Sequence, residues 1–145
     1  MIKKELKSTE YNDYYKRYIE KVSNNVDLKI GLEYDTKMVI DFFTSVPKDK
    51  LTYKYAPEKW TLKEILQHII DTERVFCYRA MCFARNDSTS LPGFDQDVFV
   101  DNCDASTRDY YDLLDEIQLL RASTIMLFKS FSDEALLRVG VGSGN

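Results

Sequence analysis

The sequence predicts an all-α fold, and three observations carry that expectation. Only 5 glycines and 3 prolines occur in 145 residues, too few for the many tight turns of an all-β sandwich. Apolar residues recur three and four apart over three long stretches, the spacing of an amphipathic helix face. Thr61-Leu62-Lys63-Glu64 forms a capping box, in which each polar side chain satisfies the other's unpaired backbone donor. With 44% hydrophobic and 30% charged residues, the chain suits one domain, residues 1–145, with a sizeable core.

Each element follows from local pattern. Tyr11, Tyr15, Tyr18 and Val22 recur at helical spacing and predict a short segment whose aromatic side lies on something else. Ser23-Asn24-Asn25 breaks it, and Asp27 caps a helix carrying Leu28, Leu32, Asp35, Val39, Phe42 and Val46 before Pro47 stops it. The capping box opens the next helix, expected to run to about Asn86 with Leu62, Leu66, Ile69, Phe76, Ala80 and Phe83 facing inward. Residues 87–105 form a long connection holding Leu91-Pro92-Gly93-Phe94-Asp95, and connections of this length are often functional. Ser106 opens a third long helix to about Phe131, with Tyr110, Leu113, Leu114, Ile117, Thr124 and Phe128 inward. A short turn through Leu137 then gives way to Gly140, Gly142 and Gly144, a stretch that reads as a mobile loop. Leu28, Val39, Leu66, Ile69, Phe76, Leu114, Ile117 and Phe128 are expected to meet in one core.

Charge and cysteine usage narrow the function. Twenty-four acidic against 20 basic side chains give a net charge of −4, and basic residues cluster only in pairs, so no nucleic-acid partner is expected. No apolar run approaches the ~20 residues of a membrane span, and the charged start is followed by no apolar stretch. No membrane partner is therefore expected. Cys77, Cys82 and Cys103 are too few and odd in number for a disulfide framework, which fits a cytoplasmic protein.

Two features stand out as chemistry. His68 is the sole histidine and lies at the edge of the apolar arc beside Thr72 and Arg79, where it reads either as a boundary residue or as a ligand. Glu64 and Asp71 stand within helical reach of it, and Asp71 is the candidate to orient the ring. Arg121 falls in the inward arc of the third long helix and needs a carboxylate, for which Asp35 and Glu73 are available. That trio reads either as a structural ion pair or as polar groups lining a cavity.

The residues from Tyr53 to Glu64, then His68-Ile69-Ile70-Asp71-Thr72-Glu73-Arg74, Tyr78-Arg79-Ala80, Leu91-Pro92-Gly93-Phe94-Asp95-Gln96-Asp97, Glu116 and Arg121 resemble the DinB-like superfamily. The resemblance covers nearly all of the chain after about residue 10. It implies a four-helix bundle of up-down-down-up connection, with residues 87–105 as the crossover and the fourth helix missing at the C-terminal side. In metal-binding members of that family, one histidine of the second helix joins two of the fourth, in a Gly-His-x-x-His-His type segment, around a divalent ion such as nickel or zinc. His68 matches the first ligand, and the other two have no counterpart in this chain.

The resemblance implies a metal-dependent enzyme of thiol-transferase or hydrolase type, acting on a small-molecule thiol or another small substrate. The alternative is a non-catalytic helical interaction protein that has lost the metal site. One imidazole without a closed ligand set predicts weak metal binding by this chain alone. Three long helices leave apolar stripes uncovered, which predicts a homodimer; the other outcome is that residues 11–22 fold back over the groove.

Overall fold

The computed structural model describes residues 1–144. Among them are six α-helices and no strand: α1 (Lys16–Ile19), α2 (Leu28–Thr44), α3 (Leu62–Ala84), α4 (Gln96–Asp101), α5 (Tyr110–Lys129) and α6 (Asp133–Leu136). Side-chain carboxylates and hydroxyls set most of the starts. Asp27 accepts from Lys29 N, Asp95 from Asp97 N and Val98 N, and Ser132 from Ala135 N. At α3 the capping box closes as expected, Thr61 N donating to Glu64 Oε2 at 2.6 Å and Glu64 N to Thr61 Oγ1 at 3.2 Å.

Three contacts fix the helix directions. Tyr110 at the start of α5 donates its hydroxyl to the Phe43 carbonyl near the end of α2, at 2.7 Å. Lys29 at the start of α2 reaches the Phe131 carbonyl just past the end of α5. Thus α2 and α5 are antiparallel. Lys63 at the start of α3 donates to the carbonyls of Ser106 and Arg108 just before α5, so α3 and α5 run parallel. A parallel pair cannot be joined by a tight turn, and residues 87–105 make the crossover.

The α5 helix begins at Tyr110, four residues later than the sequence predicts. Asp104 turns the chain with φ +49°, Lys63 takes the Ser106 and Arg108 carbonyls, and Asp109 caps Tyr111 N at 2.7 Å. The crossover carries the unexpected helix α4, whose Val100 is buried.

The main core joins Phe43 of α2, Leu66 and Ile70 of α3, and Tyr110, Leu113, Leu114 and Ile117 of α5, with Val39 and Ile69 packed at its edge. Phe128 packs instead in a second cluster with Ala84, Phe131 and Ala135, and Leu28 is half-buried outside both. Phe76 departs furthest, being 44% exposed. On α3 the buried ridge runs through Leu66 and Ile70, rotated from the predicted arc, so Phe76 faces away from α5. Ile30, Tyr34, Met38 and Phe42 form an exposed apolar row on α2.

The glycine-containing tail is docked. Leu91 N donates to the Val141 carbonyl at 2.9 Å, and Ser143 N to the Leu91 carbonyl at 3.0 Å. A Cβ at Gly140 would lie 2.2 Å from the Phe83 ring, so only glycine lets the backbone pass there. No helix among the described residues is long and apolar enough to cross a membrane.

Candidate active site

The outer face of α3 forms the floor of a cavity of about 510 Å³, within the usual range for small-molecule sites. His68, Thr72, Phe76 and Arg79 come from α3 at helical spacing, i to i+4 to i+8 and i+11. The N-terminal segment closes one side with Tyr14, Tyr15 and Tyr18, the Tyr15 ring meeting Phe76 edge-on at 6.4 Å. Phe94 and Gln96 of the crossover and Ser143 of the tail complete the wall. Of the predicted stripe, Tyr15 meets α3 and Tyr18 lines the cavity, while Tyr18 and Val22 remain exposed.

His68 is half-buried against the Trp60 ring, with centroids 4.9 Å apart. Thr72 Oγ1 is 3.4 Å from its Nδ1. Burial pushes the imidazole below its ordinary pKa, against the opposing fields of Asp71 and Asp97. Burial thus disfavours the charged ring.

The neighbouring carboxylates are committed elsewhere. Glu64 belongs to the capping box and lies 3.4 Å from Lys54; burial alone would raise its pKa, but the Thr61 bonds and the Lys54 charge hold it low. Asp71, the expected orienter of His68, accepts instead from Gln67 Nε2 at 2.9 Å and faces Arg74 at 3.7 Å. Gln67 stands one turn away on the ridge that faces α5, and it draws Asp71 to that side.

Arg121 pairs with one of its two predicted partners. Its Nε and Nη2 donate to both oxygens of Glu73 at 2.8 to 3.0 Å, the side chains being 14% and 9% exposed. Thr124 donates to Glu73 at 2.6 Å and lies 3.1 Å from Cys77 Sγ. Asp35 is exposed on α2 and takes no part. Its stripe position was one residue away from the buried side, where Phe43 and Ile40 pack. Burial pushes the Cys77 thiol up, so this half-buried group serves as a hydrogen-bonding partner of Thr124 rather than as a thiolate nucleophile.

Arg79, expected beside His68 as a supporting or cavity residue, does line the cavity and is the more deeply buried of the two, at 6% exposure. Its Nη2 donates to the Pro92 carbonyl at 2.7 Å and to Ser143 Oγ at 2.9 Å. Sequence reasoning missed Tyr14, Tyr15, Tyr18 and Phe94 as cavity walls. The regular tyrosine spacing and the Leu-Pro-Gly-Phe segment were the available signals.

Among the described residues no group of three or more histidine, cysteine, aspartate or glutamate side chains converges to hold a metal ion. A transition ion needs three or four such donors. His68 offers one, so this donor set does not fit a closed metal site.

A family model of the DinB superfamily matches residues 32–145. Among solved structures, YfiT from Bacillus subtilis, described as a probable metal-dependent hydrolase with an unusual four-helix bundle topology, is similar at a TM-score of 0.67. The match has 16% identity and covers 83% of this chain and 72% of that chain. At that identity the likeness speaks to the fold. No curated protein matches.

Proposed function

The chain belongs to the DinB superfamily, and on that premise we propose that the aromatic cavity around His68 is the seat of a hydrolase- or transferase-type reaction on a small molecule. The observation that carries this reading is a half-buried imidazole, its charged form disfavoured by burial, on the floor of a cavity large enough for a small substrate. A proton on Nδ1 directed at Thr72 leaves Nε2 as the basic nitrogen. That nitrogen accepts the proton of a water or thiol as it attacks, a role worth ~10²–10⁴-fold in rate. YfiT's description adds a metal to hydrolysis. Among the described residues no three histidine, cysteine or carboxylate donors converge on an ion, and the role proposed for His68 is that of a base.

The test compares wild-type protein with His68→Ala on nitrophenyl esters and on conjugation of a low-molecular-weight thiol to an aryl halide. Turnover in the wild type that falls ~10²-fold or more in the variant, with the melting temperature preserved, supports the reading. Turnover that survives the substitution overturns it.

The second reading is a non-catalytic interaction protein, favoured by the exposed row of Ile30, Tyr34, Met38 and Phe42. A second copy of the chain covers two such rows with one self-complementary contact. Sedimentation at micromolar concentration decides it, a concentration-independent monomer counting against the dimer.

A further inference from the structure

Arg79 is the part of the cavity that this function does not use, and the inference drawn from it rests on the cavity being the working site. A guanidinium cannot lose its charge inside a protein, and a buried charge needs a counter-charge. Among the described residues Arg79 has no ion-pair partner, whereas Arg74, Arg108, Arg121 and Arg138 each pair with a glutamate. Its two acceptors, the Pro92 carbonyl and Ser143 Oγ, are neutral, and both are served by Nη2. Nε and Nη1 donate to no described residue. Among the described residues no buried side-chain nitrogen or oxygen lacks a partner, so these two nitrogens are not sealed in protein. The open space that Arg79 lines is the cavity.

Around this cation the walls are flat and apolar. Phe76 lies under the guanidinium at 5.6 Å, Tyr15 meets Phe76, and Phe94 closes the crossover side. We propose that the cavity takes a small carboxylic acid with a flat apolar body, its carboxylate on Arg79 and its body against Tyr15, Phe76 and Phe94, with its reacting end toward His68. A single guanidinium matches one carboxylate in charge and in its forked donor geometry. A phosphate dianion fits less well, because Asp71 and Asp97 already place negative field on the His68 side. An organic cation would find the aromatic rings favourable, but it would face the unpaired charge of Arg79.

The probes are phenylacetate, its neutral amide phenylacetamide and its cationic counterpart phenethylamine, titrated into the full chain by calorimetry and by amide chemical shifts. Phenylacetate is expected to bind about ten-fold or more tightly than phenylacetamide, the discrimination of a charge-assisted bond, with shifts at Phe76 and Phe94. Arg79→Met should abolish that preference and Arg79→Lys should keep part of it. The wild-type comparison stands even if the methionine variant fails to fold. Equal affinity for acid and amide, tighter binding of the amine, no saturation by phenylacetate at millimolar concentration, or a preference that survives Arg79→Met would each overturn the assignment. His68→Ala should lose turnover while keeping the preference for the acid, which separates failure of this inference from failure of the proposed reaction.

Discussion

Two arginines largely shielded from solvent, Arg79 and Arg121, sit on parallel helices and differ in what meets them. Arg121 of α5 enters the bundle and finds Glu73 of α3, which accepts it with both oxygens while also accepting from Thr124. Arg79, about two turns farther along α3 than Glu73, lies on the outer side and finds, among the described residues, a carbonyl, a hydroxyl and the face of Phe76 but no carboxylate. An arginine answered by a carboxylate holds helices in register. One left unanswered beside a cavity marks a place where the answer comes from outside the chain.

The comparison breaks most visibly at Glu73. Glu73→Ala leaves a guanidinium buried without its partner, and the expected cost is ~3–5 kcal/mol, read from urea denaturation. Replacing both partners together, as Glu73→Leu with Arg121→Met, should recover most of that loss, because no orphaned charge remains. A single variant that unfolds at the wild-type midpoint would show that the pair does not hold α3 to α5.

Thr124→Val is the next largest change. It removes the hydroxyl that bonds Glu73 at 2.6 Å and neighbours Cys77 at 3.1 Å, while Arg121 stays in place. A bond to a charged group is worth ~1.5–3 kcal/mol, and denaturation midpoints should show a loss in that range.

At Arg79 the expected effect is smaller. Arg79→Met gives up bonds to two neutral acceptors and also removes an uncompensated buried charge, and these oppose one another. Stability should stay within ~1 kcal/mol of wild type. A loss as large as that at Glu73 would mean that Arg79 is structural and that its cavity face is incidental.

The contrast between these arginines was only half legible in the sequence. Helical period located α2, α3 and α5 and placed Arg121 inward, since 3.6-residue spacing depends only on local geometry. It could not say which of Asp35 and Glu73 would answer Arg121. That choice depends on the rotation of α2 and α3 about their axes, and it turned on ridges the pattern placed about one residue off. The same rotation moved Phe76 from the core to the cavity wall. His68 was legible as a candidate because it is the sole histidine. Arg79 was legible as a cavity neighbour of His68, but not as a charge without a carboxylate partner among the described residues, because absences across the fold have no signature in the chain. The tyrosines of residues 11–22 announced that they cover something, and only the tertiary structure showed that it is the face bearing His68.

A third setting for the same ion-pair chemistry lies where α3 and α5 meet near the surface, and it sets the lower end of the scale. Glu116 accepts from Arg74 and Arg108 at 2.5 Å each, and Arg108 also donates to Gln67, which in turn donates to Asp71. Burial alone would raise the Glu116 pKa, but the bonds from Arg74 and Arg108 outweigh it and hold the carboxyl below its ordinary value. The folded state therefore binds fewer protons than the unfolded state where these values differ. Its contribution is complete above the unfolded glutamate value of about 4.3 and is lost as pH falls through the lower folded value. Glu64 and Asp87 are also held low, so the total acid response belongs to several groups. Glu116→Gln isolates one of them. Urea midpoints of wild type and variant should differ modestly at neutral pH, draw together below about pH 4, and differ less in high salt, because this pair stands closer to water than Glu73 and Arg121. Curves that stay parallel through the acid range would mean that the two arginines hold Glu116 no better when folded than water does when unfolded.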